Sequence, residues 1–90
     1  MVFKTLKHSI EKDYKITEQV LGKGKDGNIL LIIEKETGAK HALKMLKINK
    51  LNKDQIIFQK HASQMTDYVV KIKNVYEDPA INDYYLVVME

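Results

Sequence analysis

The chain has 90 residues, 44% of them hydrophobic and 30% charged, which predicts one small globular domain with a limited core. It contains no cysteine, which excludes disulfides and thiolate metal sites, and its net charge of +3 comes from dispersed lysines without any arginine, so no nucleic-acid partner is expected. It has neither a secretory signal nor a run of about 20 apolar residues, so we expect an intracellular protein, cytoplasmic or nuclear, with no membrane partner.

Apolar patterning predicts an N-terminal arm over residues 1–12 and a domain over 13–90, with elements in the order β-β-β-α-β-β. Alternating or β-branched apolar runs predict strands at 14–21, 28–34, 41–46, 69–75 and 84–89. Glu36-Thr37-Gly38 predicts a hairpin turn between the second and third strands. The expected fold class is α+β, a five-stranded antiparallel sheet with one packed helix.

Between the third and fourth strands the apolar period becomes that of a helix. Residues at i, i+4, i+7, i+11 and i+14 form one stripe, namely Leu51, Gln55, Phe58, Ala62 and Met65. This stripe, with Gln55 in it, is predicted to face the sheet. Asn52 is the predicted N-cap, with Gln55 three residues later as in a capping box.

A glycine-rich turn joins the first two strands. It contains G-x-G-x-x-G within Leu21-Gly22-Lys23-Gly24-Lys25-Asp26-Gly27-Asn28-Ile29. Lys44 follows on the third strand, on the same face as Ala42. Backbone N–H groups that face a polyphosphate, with a cation placed to meet it, are typical of nucleotide binding. Because the turn leads into a strand, a dinucleotide fingerprint and a Walker A loop are excluded, and the arrangement is that of protein kinases.

Ordered motifs over residues 13–90 resemble the N-terminal lobe (N-lobe) of a protein kinase, and in particular the MAP kinase-activated protein kinases of the calmodulin-dependent group. The matching stretches are Asp13-Tyr14-Lys15-Ile16-Thr17, Gln19-Val20-Leu21-Gly22, Ala42-Leu43-Lys44-Met45-Leu46, Ala62-Ser63-Gln64, Val75-Tyr76-Glu77 and Val87-Val88-Met89-Glu90. The resemblance implies ATP as ligand and, in the intact enzyme, transfer of its γ-phosphoryl group to serine or threonine. It also implies protein substrates, an upstream MAP kinase, and Mg²⁺ held by a C-terminal lobe (C-lobe).

The resemblance also implies roles for individual residues. The glycines would let the backbone approach the phosphates, and Lys44 would hold the α- and β-phosphates. Leu21, Ile29 and Ala42 would sandwich the adenine, with Met89 as gatekeeper and Glu90 as the first hinge residue. The implied nucleotide-binding set is Leu21, Gly22, Lys23, Gly24, Lys25, Asp26, Gly27, Asn28, Ile29, Ala42, Lys44, Met89 and Glu90.

Three departures from the family pattern bear on activity. The C-lobe, with its catalytic aspartate and metal-binding D-F-G segment, is absent from these residues, so the chain alone is not expected to catalyse phosphoryl transfer and no metal site is expected in it. Gln55 stands where a helix glutamate would pair with Lys44, although it also fits as a cap residue. Asp26 would oppose the phosphates unless Lys23 and Lys25 offset its charge; it also fits as a turn-favouring Asp-Gly.

These observations leave two functions open. The chain is either the ATP-binding N-lobe of a serine/threonine kinase, as part of a longer product or a truncated copy, or a pseudokinase-like module that binds a protein partner. The second interpretation rests on Gln55, Asp26 and the apolar rim that a C-lobe would cover. Lys44 has a simpler interpretation too, as a lysine whose stem crosses an apolar face to reach solvent.

Overall fold

A computed structural model describes residues 4–24 and 27–90, which form a five-stranded antiparallel sheet with one long helix. In chain order the elements are a 3-10 helix (Ile10–Lys12), β1 (Tyr14–Gly24), β2 (Gly27–Glu34), β3 (Lys40–Lys47), α1 (Lys50–Met65), β4 (Ile72–Tyr76) and β5 (Tyr84–Met89). The strands lie in the order β1-β2-β3-β5-β4. The predicted α+β class and the order of the elements are confirmed.

The predicted turn between β2 and β3 is also present. The N–H of Gly38 donates to the carbonyl of Glu34 at 2.8 Å, and the N–H of Glu34 donates to the carbonyl of Ala39 at 2.8 Å. Gly38 has a φ of 75°, in the left-handed region that glycine adopts without a steric penalty. The glycine therefore closes the hairpin that sets the register of β3.

The sheet buries apolar side chains on both of its faces. One cluster comprises Ile10, Tyr14, Ile32, Leu43, Tyr76, Leu86 and Val88. The other lies under α1 and comprises Leu46, Ile56, Val75, Tyr85 and Val87. Successive residues of a strand point to opposite faces, so β5 contributes Leu86 and Val88 to one cluster and Tyr85 and Val87 to the other. Each face therefore needs its own cover: the N-terminal arm on one and α1 on the other.

The arm is attached to the β4 edge of the sheet. The N–H of Leu6 donates to the carbonyl of Val75 at 2.9 Å, and the N–H of Glu77 donates to the carbonyl of Leu6 at 2.9 Å. Leu6 thus forms a parallel bridge with Tyr76. Ile10 is 0% exposed within the core cluster. Residues of the predicted arm therefore complete the core of the predicted domain and cover a sheet edge that would otherwise be open.

Two carboxylates fix the arm further. Asp78, which is 4% exposed, accepts hydrogen bonds from the backbone N–H groups of Ala80 at 2.8 Å and Ile10 at 2.9 Å, and these bonds lower its pKa. Asp13 accepts a hydrogen bond of 2.7 Å from the Tyr76 hydroxyl and lies 2.7 Å from His8 Nε2. The bond from Tyr76 lowers the pKa of Asp13 most, and the contact with His8 lowers it further. The negative charge of both groups is therefore favoured by folding.

α1 faces the sheet with a different stripe from the predicted one. Its buried residues are Asn52, Ile56 and Ser63. The predicted stripe points to solvent instead: Leu51 is 68%, Phe58 72% and Met65 77% exposed, and Gln55 is exposed as well. The prediction that Gln55 faces the sheet is therefore wrong.

The start of the helix explains the difference. α1 begins at Lys50, and its N-cap is Asn49, whose side chain accepts a hydrogen bond of 2.7 Å from the N–H of Asn52. Asn52 Nδ2 in turn donates to the carbonyl of Lys47 at 2.7 Å. The prediction of Asn52 as N-cap and Gln55 as its capping-box partner is therefore wrong by one turn. Over the described part of the chain, no helix has the length and apolarity needed to cross a bilayer.

Replacing Ile10 by alanine should lower the free energy of unfolding by about 2–5 kcal/mol, because it leaves a cavity in the arm-side core. Urea denaturation followed by circular dichroism measures the effect. Lys12→Ala, an exposed change in the same 3-10 helix, is the matched control and should be nearly neutral. Equal stabilities of the two variants would contradict a structural role for the arm.

Stability should fall in acid because of Asp13 and Asp78. Their folded pKa values lie below the unfolded values of about 4, so their contribution is complete above that pH and is lost as pH falls through the folded pKa. Asp78→Asn should be less stable at neutral pH and lose less stability between about pH 7 and pH 3. Asp67→Asn, at a fully exposed side chain, should follow the parent curve. If the free energy of unfolding changed with pH in the same way for Asp78→Asn and the parent, Asp78 would be excluded as a source of acid sensitivity.

Candidate nucleotide-binding site

The predicted glycine-rich turn is the hairpin between β1 and β2. Its cross-strand pairs are Gly22 with Ile29, Lys23 with Asn28 and Gly24 with Gly27. The register shifts twice along β1, between Ile16 and Val20 and again between Val20 and Gly22. Such irregularities bend and twist a hairpin, here just before its tip. The other two residues of the turn, Lys25 and Asp26, lie outside the described residues, so their proposed electrostatic effects stay predictions.

Two glycines are required by the backbone at the tip. Gly27 has a φ of 130°, which side-chain-bearing residues rarely adopt. A Cβ added to Gly24 would lie 3.3 Å from the carbonyl oxygen of Gly27 and 3.8 Å from Cε of Lys44. At Gly22, by contrast, a Cβ would meet nothing within 4 Å. Gly27 is therefore favoured by its backbone conformation and Gly24 by its close approach to the carbonyl of Gly27, whereas the 3.8 Å to the lysine stem is an ordinary van der Waals separation.

Lys44 is half-buried on β3, on the face of the sheet that α1 covers. Its cross-strand partner on β5 is Val87, whose side chain belongs to the cluster under the helix. Its ammonium makes no hydrogen bond or ion pair with any residue in 4–24 or 27–90. A cation held by an apolar strand next to a glycine hairpin, without a carboxylate partner in that part of the chain, is electrostatically suited to an anion.

Apolar residues implied to contact adenine lie on the same face. Ala42 pairs with Leu31 on one side and with Met89 on the other. Ile29 lies two residues from Leu31 on β2 and therefore shares that face. Leu21 lies at the bulge in β1 and is 49% exposed. Around the small side chain of Ala42, these residues form an open apolar shelf beside Lys44.

Two of the implied site residues, Glu90 and Gln55, do not make the contacts that the resemblance implies for them. Glu90 is exposed, and its backbone N–H donates to the carbonyl of Lys71 at 2.9 Å. That N–H is therefore already bonded in this arrangement. Gln55 is exposed and makes no hydrogen bond to Lys44, so the structure does not bring together the pair that the family pattern implies.

A groove beside α1 was missed by the sequence reasoning. It has a volume of about 670 Å³ and is lined by Leu51, Asp54, Gln55, Phe58, Gln59, Val69, Val70 and Met89. Gln59 Nε2 donates to the carbonyl of Val70 at 2.7 Å, which ties the segment before β4 to the helix. Because Met89 also pairs with Ala42, the groove adjoins the apolar shelf. The sequence pattern does not predict this groove, because it places the groove-lining residues Leu51 and Phe58 against the sheet.

No side-chain cluster suited to a metal ion is present in the described residues: no three His, Cys, Asp or Glu side chains there lie close enough together to hold one. The described polar groups around the candidate site include the backbone amides of the hairpin and the side chains of Lys23, Asn28 and Lys44.

Known proteins with a similar sequence are protein kinases. No protein-family model matches the chain. The chain is similar to MAP kinase-activated protein kinase 2 of Oryctolagus cuniculus, Mus musculus and Homo sapiens, at 42% identity over 72 residues, or 80% of its length. The match spans only 19% of the rabbit protein and 18% of the mouse and human proteins. Together with the five-stranded sheet and its helix, this similarity confirms the predicted resemblance to the N-lobe of these kinases.

Gly27→Ala should destabilise the chain by about 1–3 kcal/mol, because the new side chain meets a φ of 130°. Gly22→Ala is the matched control: it lies in the same hairpin with open space around it, and should be neutral or slightly stabilising. Urea denaturation of both variants measures the difference. Similar stabilities would contradict the proposed backbone requirement at the tip.

Proposed function

We propose that this chain, which resembles a protein-kinase N-lobe in fold and sequence, binds ATP between the β1–β2 hairpin and β3. The observation that carries this proposal is the position of Lys44 beside the hairpin: its Cε lies 3.8 Å from where a Cβ of Gly24 would stand. The lysine stem therefore lies in van der Waals reach of the hairpin tip. Lys44 is half-buried as a residue, and its ammonium has no protein partner in the described residues.

The phosphates are held by the hairpin and the lysine together. Backbone N–H groups of the glycine turn donate to phosphate oxygens, while Lys44 supplies a positive charge to the α- and β-phosphates. Hydrogen bonds between charged partners are about twice as strong as neutral ones, and partial burial reduces their screening. Gln55, which is exposed, leaves Lys44 free for the phosphates but does not hold its ammonium in place.

The adenine ring lies on the apolar shelf. Ala42 is small enough to leave room for a flat ring between Ile29 and Met89, and Leu21 covers the ring from the hairpin. A planar apolar surface of this kind binds a base by contact area and adds no charge. Backbone groups at Glu90 lie at the end of β5, where the ring edge would be met.

In an enzyme with both lobes the proposed reaction is transfer of the γ-phosphoryl group of ATP to serine or threonine hydroxyls of protein substrates, with an upstream MAP kinase as activator. In that enzyme Mg²⁺ accompanies ATP, and the C-lobe supplies its ligands and the catalytic aspartate. The 90-residue chain is therefore proposed to bind nucleotide without transferring the phosphoryl group.

A second candidate function is a pseudokinase-like module that binds a protein partner. One observation favours it: the apolar stripe of α1 is exposed, with Phe58 at 72% and Met65 at 77%. Exposed apolar patches of this kind are typical of protein interaction sites. A partner on this stripe would lie close to the proposed adenine position, because the groove beside the stripe adjoins the apolar shelf at Met89.

ATP titrated into the folded chain by isothermal calorimetry should bind in the micromolar to millimolar range. Lys44→Ala should weaken ATP and ADP binding by about tenfold or more, because a charged hydrogen bond to phosphate is lost, and should leave adenosine binding nearly unchanged. Lys47→Ala, an exposed lysine on the same strand, is the matched control and should bind ATP like the parent.

The result that contradicts the proposal is equally specific. A chain with a cooperative melt that does not bind ATP, with or without Mg²⁺, would exclude nucleotide binding by this lobe. An equal loss in Lys44→Ala and Lys47→Ala would show only a general attraction of polyphosphate to lysines.

A further inference from the structure

The exposed face of α1 has the spacing of a helix-pairing seam. Leu51, Gln55, Phe58, Ala62 and Met65 follow one another at intervals of four, three, four and three residues, the alternation found at the core positions of coiled coils. Leu51, Phe58 and Met65 are each more than two-thirds exposed. The helix packs on its own sheet through Asn52, Ile56 and Ser63, so the seam is not used by the fold of the chain.

A second helix laid along this seam would also contact the groove beside it. Val70 is 54% exposed on the far wall of the groove, and Leu51 and Phe58 form the near wall. The hydrogen bond from Gln59 to the carbonyl of Val70 holds the two walls together. The apolar surface is therefore wider than the seam alone and is pre-formed in the single chain.

The flanking charges indicate which helix fits. Asp54 and His61 lie seven residues apart on the same side of the seam, and both are exposed. If two α1 helices pack antiparallel with Gln55 opposite Phe58, then Asp54 of each copy lies opposite His61 of the other. The carboxylate can then accept a hydrogen bond from the imidazole, and an ion pair forms when that imidazole is protonated.

The same register matches the sizes of the core residues. Leu51 of one copy lies opposite Ala62 of the other, so a large side chain meets a small one, and the arrangement repeats by two-fold symmetry. A parallel pair would instead place Phe58 opposite Phe58 and Gln55 opposite Gln55, and Asp54 would face Gln59 with no charge to complement it. Both side-chain size and charge therefore favour the antiparallel pair.

We propose that two copies of this chain associate through α1 as an antiparallel helix pair with Phe58 near its centre. A helix of 16 residues is about 24 Å long. An interface of that length buries less than the roughly 1,200 Å² of a standard stable complex, so the dimer is weak, with a dissociation constant in the micromolar range. The proposal does not rest on nucleotide binding, although the groove adjoins the apolar shelf at Met89.

Sedimentation equilibrium of the 90-residue chain over about 1–500 μM tests the proposal. The parent chain should pass from monomer to dimer within this range. Phe58→Glu should weaken association by about tenfold or more, because a charge enters the seam. Gln64→Glu adds the same charge to an exposed position of α1 off the seam and is the matched control, which should associate like the parent.

A charge exchange tests the antiparallel register. Asp54→Lys and His61→Glu should each weaken association, since the first loses the partner of His61 and the second places two carboxylates together. The double variant should restore association, because each lysine then faces a glutamate of the other copy. Circular dichroism melts check that all variants are folded.

Either of two results would overturn the proposal. A parent chain that stays monomeric at all these concentrations would leave the stripe to a chain segment beyond these 90 residues or to a different protein. A parent chain that dimerises, with Phe58→Glu and Gln64→Glu associating equally, would place the interface elsewhere. A dimer that Phe58→Glu disrupts but the charge exchange does not restore would overturn the antiparallel register.

Discussion

Side chains alternate between the two faces of the sheet along β3, and this alternation supplies both cores and sets the direction of Lys44. Leu43 points into the core on the arm side, while Leu46 points into the core under α1. Between them, Lys44 points to the helix side and cannot turn away without exchanging the two faces of the strand. The pattern that builds both cores therefore also fixes a cation within an apolar surface, where a phosphate would complete its interactions.

A hydrogen bond at the start of α1 determines which helix residues lie near Lys44. The hydrogen bond from Asn52 to the carbonyl of Lys47 joins the start of α1 to the end of β3 and turns Ile56 toward the sheet. Neighbouring helix residues lie about 100° apart, so turning Gln55 inward would displace Ile56 from its cluster and break the Asn52 contact. The same rotation that separates Gln55 from Lys44 exposes the seam. The missing contact between Gln55 and Lys44 and the exposure of the seam thus have a common cause, the rotation of α1 about its axis.

The parts of the fold that depend on local pattern were predictable from the sequence. Five strands and the glycine hairpins follow from period-two alternation and from positions that require glycine, such as Gly38 and Gly27. The fourth strand begins at Ile72, later than predicted, because Val69 and Val70 line the groove, where Gln59 binds the carbonyl of Val70.

The parts that depend on contacts between distant elements were not predictable. Nothing periodic in the arm marks Ile10 as a core residue, since its neighbours are polar and its partners are far along the chain. Two stripes of α1 could face the sheet, and apolar periodicity favours the one that contains Leu51, Phe58 and Met65 over the one that the structure buries. Asn52, a polar residue, decides between them through a single bond to β3. For the candidate site, the hairpin and Lys44 were found from local pattern, whereas the exposure of Gln55 and the adjoining groove required the orientation of the helix.

A series of ¹⁵N–¹H correlation spectra of the labelled chain, recorded as ATP is added, would show where the nucleotide binds. ATP bound between the hairpin and β3 should shift the amide signals of Gly22, Gly24, Ala42 and Lys44 in a saturable manner. The amide of Ile10, on the opposite face of the sheet, should remain unchanged. Shifts that follow exposed lysines across the molecule, or a folded chain whose hairpin signals do not move, would contradict the account.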